Sequence, residues 1–247
     1  MAPIKTEAFV LKKHNFRETS VILSLYTEKA GKIKGVLKGV RVEKSKVPPL
    51  TFTPGAYICT TVYLKKHSEL NLISSPFLLQ YYENICKKNL YVWHLILNLV
   101  DLFTPEKDVD KEMFTLLKDT GDAFKESSNP EVIFITFKLK FIKILGYGIE
   151  LSKCVVCRKQ NPVYLFSGKL GGLICNVCKH RDPQRVNISK KIIHIMQQME
   201  KMDMKRCFVI KRIPFDILQK INFYANITLN YHSEIDKIWW TNEKNIL

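Results

Sequence analysis

The sequence predicts a multi-domain α+β chain: a small β-barrel over residues 1–75, then an all-helical domain over 76–247 with a four-cysteine ribbon, residues 151–182, inserted in it. Three observations predict it. Short β-branched runs between Gly and Pro turns fill the first 75 residues, large apolar residues at steps of three and four dominate the rest of the chain, and two Cys-x2-Cys pairs interrupt the helical part.

The strands come first. Thr19 to Thr27 is rich in β-branched and aliphatic residues, and Gly31 to Val40 alternates, with Ile33 and Leu37 on one side and Lys32, Lys34 and Lys38 on the other. Tyr57 to Leu64 is a third strand and Glu69 to Ile73 a short fourth, while Arg41 to Pro54, with three prolines, reads as an exposed loop. Four or five short strands in this length predict a small barrel.

After Pro76 the texture becomes helical, and a domain break is expected near Ser74 to Pro76. Phe77 to Phe103 and Glu112 to Phe124 have helical spacing, and Asp108, Asp110 and Glu112 suit the electropositive start of the second helix. Glu131 to Leu145 places Phe134, Phe137, Phe141, Ile144 and Leu145 on one buried face, with Gly146 beyond the C-cap. Residues 188–199 and 214–231 resume the pattern after the ribbon.

At 247 residues, 46% hydrophobic and 25% charged, the chain can bury a real core, and disorder or a disulfide-stapled miniprotein is excluded. Its charge is unbalanced, 39 Lys+Arg against 23 Asp+Glu, net +16. The excess is not uniform: +8 for residues 1–80, −2 for 81–150, +6 for 151–185 and +4 for 186–247. An acidic middle between basic ends is more than compositional drift towards lysine, and it points to a polyanion. Nucleic acid is expected and a membrane is not, because no amphipathic basic helix or 20-residue apolar span is present. Ala8 to Leu11, the one continuous apolar run near the start, is too short for a secretory leader. A cytoplasmic chain is expected, whose seven cysteines are not disulfides by default.

Cys154, Cys157, Cys175 and Cys178 form C-x2-C-x17-C-x2-C. Each pair lets two thiolates converge from one tight turn, and the loop between, with LFSGKLGGLI as two short strands, brings the turns face to face. The pattern predicts one structural Zn2+ per chain, since four sulfurs leave no open coordination position for chemistry. A redox dithiol pair or unrelated cysteines are the competing readings, the first weakened by the lack of a βαβ setting. Lys153, Arg158, Lys159, Lys169, Lys179 and Arg181 surround the thiolates. Cys59, Cys86 and Cys207 read as buried bystanders, and His180 as a surface residue.

Catalytic signatures fail. His67-Ser68-Glu69 with Cys154-x-x-Cys157 superficially matches a zinc deaminase, but Lys153 replaces the required proline and the second cysteine pair fills the position a catalytic water needs. No phosphate-binding Gly-Lys loop, G-x-S-x-G or H-E-x-x-H occurs. A binding protein is expected, not an enzyme.

Lys32, Lys34 and Lys38 on one strand could follow a phosphate backbone, joined by Lys12, Lys13 and Arg17 from neighbouring strands and by Arg41, Lys44 and Lys46 from the loop. Phe52 and Tyr63 are candidate stacking platforms. Two alternatives remain: another nucleic-acid binder, ribosomal or transcriptional, that reads through its zinc ribbon, and a docking scaffold for acidic protein segments.

The run from Ala8 to Ser45 resembles the opening of the bacterial RecO recombination-mediator family, in Glu18-Thr19, in Thr27 with Gly31, and in Lys38-Gly39-x-Arg41-x-x-Lys44-Ser45. FKLKFIKILGYGIELSKCVVC is similar to the family's helix, turn and first metal half-site, and GGLICNVC to its second. Arg158 and Lys179 stand where the family often has glycine after a knuckle. The resemblance implies that the barrel is an OB-fold, joined to a helical domain with a zinc ribbon. It implies binding of single- and double-stranded DNA, strand annealing, and contact with the C-terminal tail of single-stranded-DNA-binding protein. It further implies action with RecR to load RecA, in a cytoplasmic, nucleoid-associated protein. Residues 186–247 match no motif of the family.

Overall fold

A computed structural model describes residues 3–65, 68, 70–81, 87–126, 129–160, 165–209 and 213–232. The chain divides into two compact units, Met1–Gly121 and Asp122–Leu247.

In the first unit, β1 (Ile4–Phe16), β2 (Ser20–Thr27), β3 (Gly31–Leu37), β4 (Tyr57–Tyr63) and β5 (Leu70–Gln80) close a barrel in the order β1-β2-β3-β5-β4. This is an OB-like barrel, with β3 and β5 parallel and the other pairs antiparallel. Alternate side chains fill its inside: Ala8, Val10, Val21, Leu23, Leu25, Ile33, Leu37, Ile58, Val62 and Ile73 form one buried cluster. β1, to which the sequence pattern gave no bounds, is buried on both faces over Ala8–Leu11. On its outer side Phe9 stacks on Tyr57 at 4.8 Å and meets Trp93 and Phe114 at 6.0 and 5.6 Å, which binds α1 (Lys87–Phe103) and α2 (Lys111–Glu126) to the barrel. Asp110 Oδ1 accepts from the Met113 amide and caps α2, as the acidic cluster led one to expect.

Two expectations are corrected here. Phe77 to Gln80 is strand, not helix: β5 runs through Ser74–Pro76, and the proline sits in an irregularity of the β4–β5 ladder between Cys59 and Thr61. A bulge is where a strand tolerates a residue without an N–H. Phe52 is no stacking platform, because at 5% exposure it belongs to the barrel core, whereas Tyr63 is half-buried.

The second unit is built on α3 (Pro130–Ile142), with α4 (Lys190–Lys201) and α5 (Phe215–His232). Instead of one apolar face, α3 is buried nearly all round, Lys140 being its one residue outside that class. Even Lys138 is enclosed, donating to Asn222 Oδ1 at 2.7 Å and Asn226 Oδ1 at 2.9 Å from α5, with its Nζ 4.4 Å from the Phe134 ring centre. Ile144 and Leu145, expected on the buried face, fall in a π turn that follows the helix and are half-buried. Gly146 breaks that turn with φ +85°, matching its expected role as a stop.

No helix of the described residues is long and apolar enough to cross a membrane. Cys86, His67 and Glu69, singled out in the sequence, lie outside the described residues.

Candidate functional site

In the second unit the four expected cysteines converge. The sulfurs of Cys154, Cys157, Cys175 and Cys178 all lie within 4.8 Å of one another, three buried and Cys157 exposed. Between them, β6 (Leu165–Ser167) and β7 (Gly172–Ile174) pair antiparallel, and β8 (Val186–Asn187) adds a third strand beside β6. The ribbon is pinned to α5 by Phe166, edge-on to Tyr224 at 5.1 Å, and by the Tyr224 hydroxyl, which donates to the Asn187 carbonyl. The turn at Gly168 admits no Cβ, which would lie 2.9 Å from the Ile227 carbonyl oxygen.

Each knuckle is closed by its own backbone: the Arg158 amide donates to the Cys154 carbonyl at 2.9 Å and the Cys178 amide to the Cys175 carbonyl at 2.9 Å. The Cys175 amide also donates to Cys154 Sγ at 3.4 Å. Burial pushes the Cys154 thiol up, but N–H groups from Cys157, Cys175 and Val156 outweigh it and bring the thiol down to about 6. The Cys178 thiol moves the other way, to about 12, through its hydrogen bond to Cys175, burial, and its bonds to Cys157 and Cys154. Four sulfurs this close cannot all be thiolates without a cation among them. A tetrahedron of sulfurs 2.3 Å from a metal has edges of about 3.8 Å. The Cys157–Cys175 sulfur pair stands at 3.8 Å. The cluster could therefore hold a metal ion as a closed, all-sulfur site. His180 is exposed, its Nδ1 near the Val177 carbonyl, in keeping with a surface role; Cys207 is buried and Cys59 half-buried.

In the first unit the nine basic residues expected to bind DNA separate into two sets. Lys12, Lys32 and Lys34 face acid. Lys12 Nζ is 2.7 Å from Asp101 Oδ2, Lys34 Nζ 2.8 Å from Glu106 Oε1, and the buried Lys32 Nζ donates to the Asp101 carbonyl at 2.6 Å. The segment after α1 lies along β3, where the Lys107 amide donates to the Lys32 carbonyl at 2.8 Å. Gly31, at φ +63°, lets it in, since a Cβ there would fall 1.9 Å from the Asp108 carbonyl oxygen. Burial lowers the Lys32 pKa against the pull of Asp101 and Glu106. Burial alone would raise the Asp101 carboxyl, but bonds from Lys12 and Ser24 outweigh it and hold it below the usual carboxylate range. Sequence reading missed Asp101 and Glu106; the signal was the acidic stretch 101–112, complementary to the strand lysines.

The second set is exposed: Lys13, Arg17, Lys38, Arg41, Lys44 and Lys46. Several are brought to one end of the barrel. Arg41 donates from its amide to the Thr19 carbonyl and from Nη1 to the Arg17 carbonyl, tying the β3–β4 connection to the β1–β2 turn. Lys13 lies over the Phe52 ring at 5.6 Å, on the same connection.

A family model described as "Recombination protein O N terminal" matches residues 1–82, and one described as "Recombination protein O C terminal" matches residues 88–221. The chain belongs to the RecO family. Similar proteins named "DNA repair protein RecO" include that of Bacillus subtilis, 25% identical over 82% of this chain and 79% of its own length. That of Caldicellulosiruptor bescii is 29% identical over 83% and 87%. That of Oceanobacillus iheyensis is 22% identical over 97% and 91%. Against the RecO pattern the structure explains one departure: Arg158 has φ +61°, a conformation that suits the glycine often found there.

Proposed function

We propose that this chain is a non-enzymatic recombination mediator of DNA repair, acting in the cytoplasm at the nucleoid. It binds single- and double-stranded DNA through the exposed cations at the end of the barrel, with no sequence preference. It anneals complementary strands because neutralising phosphates cancels their repulsion and lets base pairing proceed, which requires no catalytic residue. With RecR it loads RecA onto DNA coated with single-stranded-DNA-binding protein, whose C-terminal tail it contacts. The metal is one Zn2+ on Cys154, Cys157, Cys175 and Cys178, and its task is to hold the ribbon together.

The observation that supports this reading is the coincidence of RecO-family membership along both units with an OB-like barrel that carries exposed cations on its first strand, its β1–β2 turn and its β3–β4 connection. Lys12, Lys32 and Lys34 serve the fold more than the ligand, because acid and carbonyl groups of their own unit already hold them. The residues expected to touch phosphate are thus Lys13, Arg17, Lys38, Arg41, Lys44 and Lys46.

The test is annealing and binding of complementary oligonucleotides across a salt series. Lys38→Glu/Lys44→Glu/Lys46→Glu removes three contacts of about 0.7 each in the logarithmic salt slope for single strands, so the slope falls by about 2. An unchanged slope overturns the assignment. Metal analysis of the purified chain is expected to return one zinc, and none after Cys154→Ser.

A further inference from the structure

We propose that the ribbon knuckles carry a second polynucleotide-contact surface, separate from the barrel cations, formed by Arg158, Lys159, Lys179 and Arg181. The inference rests on the DNA-binding reading above and extends it to residues that reading does not use.

The cations of each knuckle come from the turn that supplies its sulfurs. Arg158 directly follows Cys157 and Lys179 directly follows Cys178. With all four sulfurs within 4.8 Å, the Cα atoms of Arg158 and Lys179 stand at most about 18 Å apart by chain geometry. Short backbone bonds hold these turns: the Cys154 amide donates to the Lys159 carbonyl at 3.1 Å and the Arg181 amide to the Cys178 carbonyl at 3.0 Å. All four side chains are exposed.

Their charge is not consumed locally. Among the described residues, Arg158 has one carboxylate near it, Glu150 at 4.0 Å, and none comes within ion-pair reach of Lys159, Lys179 or Arg181. Asp182, the one acidic residue in 151–185, points inward: it is 2% exposed and accepts from the Ser167 hydroxyl at 2.5 Å and the Gln184 amide at 2.9 Å. A tetrathiolate around a divalent ion carries −2, which against the segment's +6 leaves about +4 unspent on the surface. Neutralising the metal site therefore explains only part of the cation density. Among the described residues, the large apolar side chains exposed on the knuckles are Val156 and Val177 alone, few beside the four cations. Such a surface recognises a chain of phosphates by charge, and it does so without reading sequence.

The experiment uses the full-length protein and fluorescein-labelled oligo(dT), with anisotropy read across a salt series. In Lys159→Glu/Lys179→Glu/Arg181→Glu no sulfur ligand is touched, and zinc content reports that the ribbon remains assembled. The logarithmic salt slope is expected to fall by about 2 and affinity at 0.1 M salt by up to about 100-fold. Lys159→Arg/Lys179→Arg/Arg181→Lys is expected to retain both. Unchanged slope and affinity with zinc intact overturns the inference while leaving the barrel reading standing. Unchanged DNA binding with lost binding of an acidic peptide overturns it in favour of a protein partner. If the unaltered protein shows no salt-dependent DNA binding, the underlying reading fails and the inference with it.

Discussion

Asp101→Asn removes one negative charge while preserving size and much of the hydrogen-bonding shape, and it strikes the point where the acidic segment grips the barrel. Asp101 Oδ2 holds Lys12 at 2.7 Å and Oδ1 accepts from the Ser24 hydroxyl at 2.6 Å. Hydrogen bonds to charged groups contribute about 1.5–3 kcal/mol each. The Lys12 side chain, however, is 36% exposed, so its share is discounted to about 0.5 kcal/mol. Converting the Ser24 bond from charged to neutral removes about 1 kcal/mol more. The expected loss of about 1.5 kcal/mol corresponds to roughly a tenfold drop in amide protection over β1 and β2, read by hydrogen exchange of the full chain at neutral pH. The pH dependence has a definite sign. A carboxyl whose folded pKa lies below its unfolded value stabilises above that unfolded value, 3.8 for this group, and the gain disappears as pH falls through the folded value. In urea unfolding the gap between the two proteins should therefore be full at neutral pH and close in acid. Equal protection at pH 7, or a gap undiminished in strong acid, would refute the reasoning.

Arg158→Gly should stabilise the second unit by about 1 kcal/mol, because φ +61° costs an L side chain about that much and glycine little; urea midpoints of the two proteins, compared at equal metal content, check it. Trp93→Ala should cost the first unit about 3–5 kcal/mol, since the 1%-exposed ring fills the space between Phe9 and Gly55, with the loss measured by exchange over β1 and α1. The Tyr26 phenol is pushed far up by burial, then by Asp110 and Asp108, so folding favours its neutral form. That stability is complete below the unfolded pKa near 10 and is lost as pH rises further, so Tyr26→Phe should move the alkaline unfolding midpoint upward; an unmoved midpoint tells against the assignment.

The cysteine cluster was legible because its information is local: two turns and a hairpin bring four sulfurs together, and spacing alone encodes that. Barrel strands were legible where polar and apolar residues alternate, as in β3, whose Ile33 and Leu37 are buried in the barrel core. β1 was not, because α1 and α2 cover its outer side at Phe9, which erases the alternation a half-buried strand would show. Past Pro76, Phe77, Leu78 and Leu79 match a helix or a strand equally well on so short a stretch, and pairing with β4 decides in favour of the strand. The pairing of Lys12, Lys32 and Lys34 within their own unit depends on Asp101 and Glu106, the first of them 69 residues from Lys32, a distance over which no periodicity carries information.

The enclosure of α3 has a kinetic consequence. A helix wrapped on every side is a spindle, and solvent cannot reach its amides by fraying of one turn or the lifting of one neighbour. Its central hydrogens, around Phe134 to Lys138, should exchange only when the whole second unit comes apart, which makes them a clock for global opening.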